Sequence, residues 1–211
     1  MNNKIMMKVK NGTPLTDNEV DSFLTFICNY IREQNNIIDP MDPECKVCRE
    51  TFNAFGIIVY INYGCDVESF VIHNLLQIPL THYANIVSFN VNGVRKTYLV
   101  DMTYSQFFGK TITLDDNTRV STKKVFGAIE NEPFVVQLRQ KGFVELDSNI
   151  LKKYIDAFLM ISKSRNFKEA YASVNELLTK NNINSILKKW FIIYKKTTSR
   201  LRQSSFQFSK L

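Results

Sequence analysis

The first strong pattern of hydrophobic and polar positions begins at Thr16. Thr16 and Glu19 have the spacing of a capping box, in which side chains and backbone at a helix start satisfy one another. Apolar residues then recur at helical intervals, at Val20, Phe23, Leu24, Ile27 and Ile31. This pattern predicts a helix over residues 17–34. The first 15 residues carry no comparable pattern, and we expect them to be flexible.

A second apolar segment, CRETFNAFGIIVYINY, runs from Cys48 to Tyr63 after a polar loop that contains two prolines. Phe52 and Phe55 fall on the helical face of Cys48, and Gly64 stands where a helix C-terminal cap is expected. The β-branched run within this segment would also suit a buried strand. A helix is the preferred interpretation.

Apolar and polar residues alternate on both sides of Asn92-Gly93, and this alternation predicts a β-hairpin over residues 82–104. Asn-Gly is the strongest short hairpin signal, because a type I′ turn needs positive φ at both central residues. A short strand near residues 69–75 and a strand pair within residues 110–125 complete the predicted sheet.

The pattern becomes helical from about residue 133 onward. Pro133 suits a first helical turn and Gly142 a helix stop, and three further helices are predicted near residues 148–162, 167–179 and 183–196. The order of elements is typical of an α+β fold. We therefore divide the chain into a flexible N-terminus (1–15), a globular domain (16–146) and a helical C-terminal region (147–211).

Composition agrees with a globular protein, since 45% of the 211 residues are hydrophobic and 22% are charged. The sequence contains no uncharged apolar run of transmembrane length and no apolar segment typical of a signal peptide. A cytoplasmic location is expected, with secretion by a non-standard route as the alternative. The four cysteines are then expected to be reduced thiols.

The net charge of +7 is unevenly spread. Residues 1–150 carry 14 Lys and Arg against 17 Asp and Glu, whereas residues 151–211 carry 13 against 3. Within the basic part, an apolar stripe at helical spacing comprises Ile183, Ile186, Leu187, Trp190, Phe191 and Tyr194. Docking of this helix onto its own domain is the preferred interpretation, and contact with an anionic membrane or an acidic protein is the alternative. No recognised nucleic-acid-binding motif is present, so a nucleic-acid partner is not favoured.

The hairpin has a polar residue at each end. If Val91 faces Val94, then His82 and Asp101 point to the same face of the sheet as diagonal neighbours, roughly 7 Å apart at the backbone. A carboxylate reaches an imidazole across that diagonal. The pair is either a structural hydrogen bond in the core or part of a nucleophilic catalytic site, in which the carboxylate orients the histidine.

Cys48 is the best-placed thiol to act as the nucleophile of such a catalytic site. It lies at the start of a predicted helix, where free N–H groups and the positive end of the helix dipole stabilise a thiolate. The same N–H groups could serve as an oxyanion hole, to which the polar loop before Cys48 could add a side chain.

The cysteine at a helix start, the HYANIV strand, the Asn-Gly turn and the YLVDMT strand together resemble the transglutaminase-like branch of the papain-like cysteine enzymes. The resemblance covers residues 43–108. It implies a papain-like domain with Cys48 as nucleophile, His82 as general base and acid, and Asp101 as orienting carboxylate; Thr103 matches the family's threonine. Two departures are that Met102 replaces the usual proline and that no glycine precedes the cysteine in the usual place.

The same resemblance implies acyl transfer from a protein or peptide amide to water or an amine, by a protease, a glutamine deamidase or a transglutaminase. Hydrolysis is preferred, because water is always present. No cofactor or metal is implied. Compact enzymes of this type also resemble papain-like toxins of bacteria, which suggests an effector role.

Several alternatives stay open at this point. Cys45 is a rival nucleophile, and Cys45-x-x-Cys48 could belong to a zinc or redox site, although no second close-spaced ligand pair accompanies it. A different class of function is an inactive binding module that works through the basic C-terminal helices.

Overall fold

The computed structural model describes residues 3–44, 47–109, 111–162 and residue 172, all of which belong to one compact unit that spans residues 1–177. The described helices are α1 (Asn3–Lys10), α2 (Asp17–Gln34), α3 (Cys48–Ile57), α4 (Ile72–Leu76), α5 (Phe126–Ile129), α6 (Pro133–Lys141) and α7 (Ser148–Ile161). The described strands are β1 (Asp66–Val71), β2 (Tyr83–Val91), β3 (Val94–Val100), β4 (Thr111–Thr113), β5 (Arg119–Ser121) and β6 (Phe143–Glu145). The fold of this part is α+β.

Helix α2 has the predicted bounds and the predicted cap. The Glu19 backbone N–H donates to the Thr16 hydroxyl, and the Thr16 backbone N–H donates to the Glu19 carboxylate. Residues 3–10, which were expected to be flexible, form the helix α1. Lys8 pairs with Glu19 at 2.6 Å, and Leu15 is buried and hydrogen-bonds to the hairpin. These long-range contacts order a segment that has little local signal.

Helix α3 confirms the helical interpretation of the second apolar segment. A π-helical turn, Ile58–Asn62, follows it, and Gly64 then adopts a φ of +68°. The Asn85 side chain donates to the Phe52 carbonyl at 3.2 Å, which attaches α3 to strand β2. The helix that carries Cys48 therefore packs on the sheet.

The larger sheet is antiparallel, with strand order β1-β2-β3-β6. Val91 pairs with Val94 as predicted, and both turn residues have positive φ, +52° at Asn92 and +87° at Gly93. Strands β4 and β5 form the second predicted pair. The strand expected near residues 69–75 instead ends at Val71, because α4 begins at Ile72, and β6 was not predicted.

Hydrophobic clusters cover both faces of this sheet. One cluster packs α2 and α3 against the face that carries Val87 and Tyr98. The other packs α6 and α7 against the face that carries Ile86 and Leu99. Since α7 supplies side chains to this second cluster, the compact unit extends beyond residue 146, where the sequence analysis ended the domain.

The helices predicted over residues 167–179 and 183–196 lie outside the described residues, as does the apolar stripe of the basic segment. Within the part of the chain that the structure describes, none of the helices combines the length and the apolarity needed to cross a membrane.

Candidate functional site

His82 and Asp101 lie at the open end of the hairpin, just before β2 and just after β3. Their backbones are held by neighbouring elements: the His82 carbonyl accepts from the Ile72 N–H at 2.8 Å, and the Asp101 N–H donates to the Gly142 carbonyl at 2.9 Å. The His82 Nε2 lies 2.7 Å from Asp101 Oδ2, and both side chains are 1% exposed. The contact predicted from the register is therefore present.

Asp101 is the centre of a hydrogen-bond network. The Tyr154 hydroxyl donates to Oδ2 at 2.9 Å, while the Thr103 backbone N–H and hydroxyl donate to Oδ1 at 3.2 and 3.4 Å. Burial, followed by the charge of Asp101, raises the pKa of Tyr154 well above its ordinary value, so this hydroxyl stays a donor. Both carboxylate oxygens are thus satisfied, as a buried charge requires.

Aromatic side chains enclose the imidazole of His82. The Phe107 ring meets it edge-on with centroids 4.7 Å apart, and the Phe158 ring stacks on it at 5.7 Å. These contacts exclude water and restrict the rotation of the imidazole. The ring is consequently held with Nε2 toward Asp101 and Nδ1 available for other partners.

Burial is the largest influence on the pKa of His82 and lowers it, because a charged imidazole loses its hydration. The charge of Asp101 and its hydrogen bond act in the opposite direction, followed by the hydrogen bond and charge of Cys48, and together they raise the pKa to about 10. Cys48 is therefore near enough to the imidazole to favour its charged form. Of the three residues proposed from the sequence, His82 and Asp101 are in direct contact, and Cys48 is their neighbour through its effect on the pKa of His82.

The other described cysteines are poor nucleophile candidates. Cys28 and Cys65 are buried, and burial raises the pKa of each thiol to about 12. Cys48 is partly exposed and stands at the first residue of α3, where backbone N–H groups have no intrahelical acceptor. Its rival Cys45 lies outside the described residues.

The Gln106 side chain was not predicted to belong to the site. It lies in a short 3-10 helix, Tyr104–Phe108, that follows Asp101. Its Nε2 is 3.1 Å from His82 Nδ1 and 3.3 Å from the Thr103 hydroxyl. Gln106 therefore contacts Nδ1 of His82, the imidazole nitrogen that faces away from Asp101.

Neither Gln106 nor Tyr154 could be assigned from the sequence. Gln106 has no motif around it, and Tyr154 reaches Asp101 across 53 positions of the chain. For Tyr154 the apolar face of the predicted helix was a partial signal, since a tyrosine on a buried face needs a partner for its hydroxyl.

A groove with a volume of about 630 Å³ is lined in part by Phe107, a neighbour of His82. Its walls include Pro43 and Glu44, from the loop that leads to Cys48, and Phe107, whose ring contacts His82. Ser105 donates to the Pro40 carbonyl and so attaches that loop to the 3-10 helix. The volume falls in the range of known ligand sites.

In the described part of the chain, no group of three or more His, Cys, Asp or Glu side chains is placed to bind a metal ion. Comparison with protein-family models, curated proteins and solved structures gives no match for this chain. The description of its class consequently stands on the fold and on the site: an α+β protein with a buried His-Asp pair beside a cysteine at a helix start.

Proposed function

We propose that the protein is a cysteine-dependent acyl-transfer enzyme of the papain-like, transglutaminase type, acting on protein or peptide amides. The observation that carries this proposal is the buried His82–Asp101 hydrogen bond, with Cys48 near enough to favour the charged form of the same imidazole. A carboxylate that orients a histidine beside a thiol is the arrangement that nucleophilic catalysis needs.

In this mechanism the Cys48 thiol transfers its proton to His82 Nδ1, and the thiolate sulfur attacks the carbonyl carbon of the amide. Nε2 keeps its proton and its hydrogen bond to Asp101, which stabilises the imidazolium. The imidazolium then protonates the leaving nitrogen as the carbon–nitrogen bond breaks, and a thioester remains on Cys48.

The acyl group of the thioester is next transferred to water: His82 accepts a proton from the attacking water, the carbon–sulfur bond breaks, and the Cys48 thiolate takes the proton back from the imidazolium. The products are a carboxylic acid and the restored thiol–imidazole pair. If the acceptor is an amine, the product is a new amide. We place hydrolysis of a peptide or glutamine side-chain amide first, because it needs no second binding site.

Two further features support a protein or peptide substrate. The groove next to Phe107 has the size for a short segment of chain, and Pro43 and Glu44 of the loop before Cys48 contribute to its walls. The backbone N–H groups in the first turn of α3 are available to stabilise the oxyanion of the tetrahedral intermediate.

The test is the rate of iodoacetamide labelling near pH 6.5, followed by intact mass and peptide mapping, on the native protein and on His82→Ala. We expect fast labelling confined to Cys48 and lost in His82→Ala. Cys28→Ala is the matched control and should leave the rate unchanged, since that thiol is buried. Labelling that is slow or indifferent to His82 would contradict the proposal and favour the inactive binding module.

The activity itself is tested with a glutamine-rich protein substrate, incubated with and without a primary amine. Mass spectrometry then separates chain cleavage, deamidation and amine incorporation. Cys48→Ala is expected to abolish whichever product appears.

A further inference from the structure

Four side chains at the site form a closed ring of hydrogen bonds: His82 to Asp101, Asp101 to Thr103, Thr103 to Gln106, and Gln106 back to His82. The distances between donor and acceptor atoms around the ring are 2.7, 3.4, 3.3 and 3.1 Å. The mechanism proposed above uses His82 and Asp101 and gives no role to Gln106. The ring of hydrogen bonds indicates a role for Gln106.

The direction of each hydrogen bond in this ring follows from the carboxylate. Asp101 is an acceptor, so the Thr103 hydroxyl donates its proton to it. The Thr103 oxygen can then only accept from Gln106, and this requires the amino group of the Gln106 amide to face the ring. The second N–H of that amino group points at His82 Nδ1, so this arrangement is the one that fits the neutral imidazole, in which Nδ1 carries a lone pair.

A donor aimed at Nδ1 stabilises the neutral imidazole and opposes the imidazolium, which would present a second N–H to it. We propose that Gln106 is a positioning residue that restrains proton transfer from Cys48 to His82, and that its amide must turn away from Nδ1 when the thiolate–imidazolium pair forms. This inference rests on the proposed function. It adds a conformational step to it, in which the 3-10 helix sets the pH at which the pair ionises.

The other groups around the imidazole do not supply this restraint. Asp101, at the end of β3, favours the charged imidazole. Cys48, at the start of α3, does the same. Tyr154 of α7 and Tyr104 of the 3-10 helix are fully buried tyrosines whose pKa burial raises well above its ordinary value, so they stay neutral. Phe107 and Phe158 are apolar.

The experiment measures the rate of iodoacetamide labelling of Cys48 between pH 4 and 9 in the native protein and in Gln106→Met, which keeps the length of the side chain and removes the donor. A neutral hydrogen bond of ordinary strength corresponds to a change of about half to one pH unit. We expect the midpoint of the labelling profile to fall by that amount in Gln106→Met. Gln106→Ala is measured in parallel and should shift in the same direction.

Gln137→Met is the matched control, because Gln137 is also half-buried but lies in α6. It should leave the midpoint unchanged. Circular dichroism checks that each variant is folded. An unchanged or raised midpoint in both Gln106 variants would overturn the inference.

A second arm separates this result from a failure of the proposed function. His82→Ala is combined with Gln106→Met, and the double variant should lose fast labelling as completely as His82→Ala alone. If labelling depends on His82 while the Gln106 variants leave the midpoint in place, only the role of Gln106 is refuted. If labelling never depends on His82, both ideas fail.

Discussion

Replacing Asp101 by asparagine tests the electrostatics of the site most directly. The change keeps the shape of the side chain but removes its charge and turns one acceptor atom into a donor. Asp101 accepts two hydrogen bonds on each oxygen, so the new amide places an N–H against at least one buried donor. An unsatisfied buried group costs about 1–3 kcal/mol, and we expect the free energy of unfolding at pH 7 to fall by at least that amount.

The pH dependence of stability gives the sharper test. In the native protein the folded-state pKa of His82 is raised to about 10 from an ordinary value of 6.5. A raised pKa means that protonation of His82 stabilises the folded state. This stabilisation is complete below pH 6.5 and is lost as the pH rises through about 10. At about 1.4 kcal/mol per pH unit, the loss amounts to at most about 5 kcal/mol.

In Asp101→Asn the burial of His82 remains and its main stabilising partner is gone. The folded-state pKa of His82 should then lie below 6.5, so that the variant loses stability as the pH falls through this value. The two proteins are expected to show opposite slopes of unfolding free energy against pH, measured by urea denaturation from pH 5.5 to 9.5.

The chain has only two histidines, so ¹³C-histidine labelling gives two NMR signals, and His73→Gln identifies the signal of His82. Cys48→Ala is the comparison variant. It should lower the pKa of His82 less than Asp101→Asn does, because the contribution of Cys48 is the smaller one. If His82 titrates near pH 6.5 in the native protein, or if Asp101→Asn leaves its titration unchanged, the reasoning is refuted.

Two further predictions concern stability. Tyr154→Phe removes the hydroxyl that donates to the Asp101 carboxylate and should cost about 1.5–3 kcal/mol of unfolding free energy, measured by urea denaturation; a loss below about 0.5 kcal/mol would show that the contact contributes little. Gly142→Ala should cost about 2–4 kcal/mol, because φ is +86° and the new Cβ would lie 2.8 Å from Cγ of Met102. Its control is Gly64→Ala, at φ +68° with no atom within 4 Å, which should cost only about 1–2 kcal/mol; equal losses in the two variants would exclude a steric contribution from Met102.

Features that depend on neighbouring residues were determined by the sequence. The capping box of α2 and the Asn92-Gly93 turn follow from local backbone chemistry. Since that turn sets the register of β2 and β3, it also brought His82 and Asp101 onto one face. The contact between His82 and Asp101 could therefore be predicted from the sequence, although its catalytic role stays a prediction.

Features that depend on distant residues were decided by the tertiary structure alone. Strand β6 has three residues and little pattern of its own, and it forms because β3 offers it an edge. Helix α1 is likewise held through Lys8 and Glu19. Tyr154 and Gln106 reach the His-Asp pair from elements that only the packing of the chain brings together. Local periodicity reports which face of an element is buried but not what that face meets, so the partners that tune His82 required the folded structure.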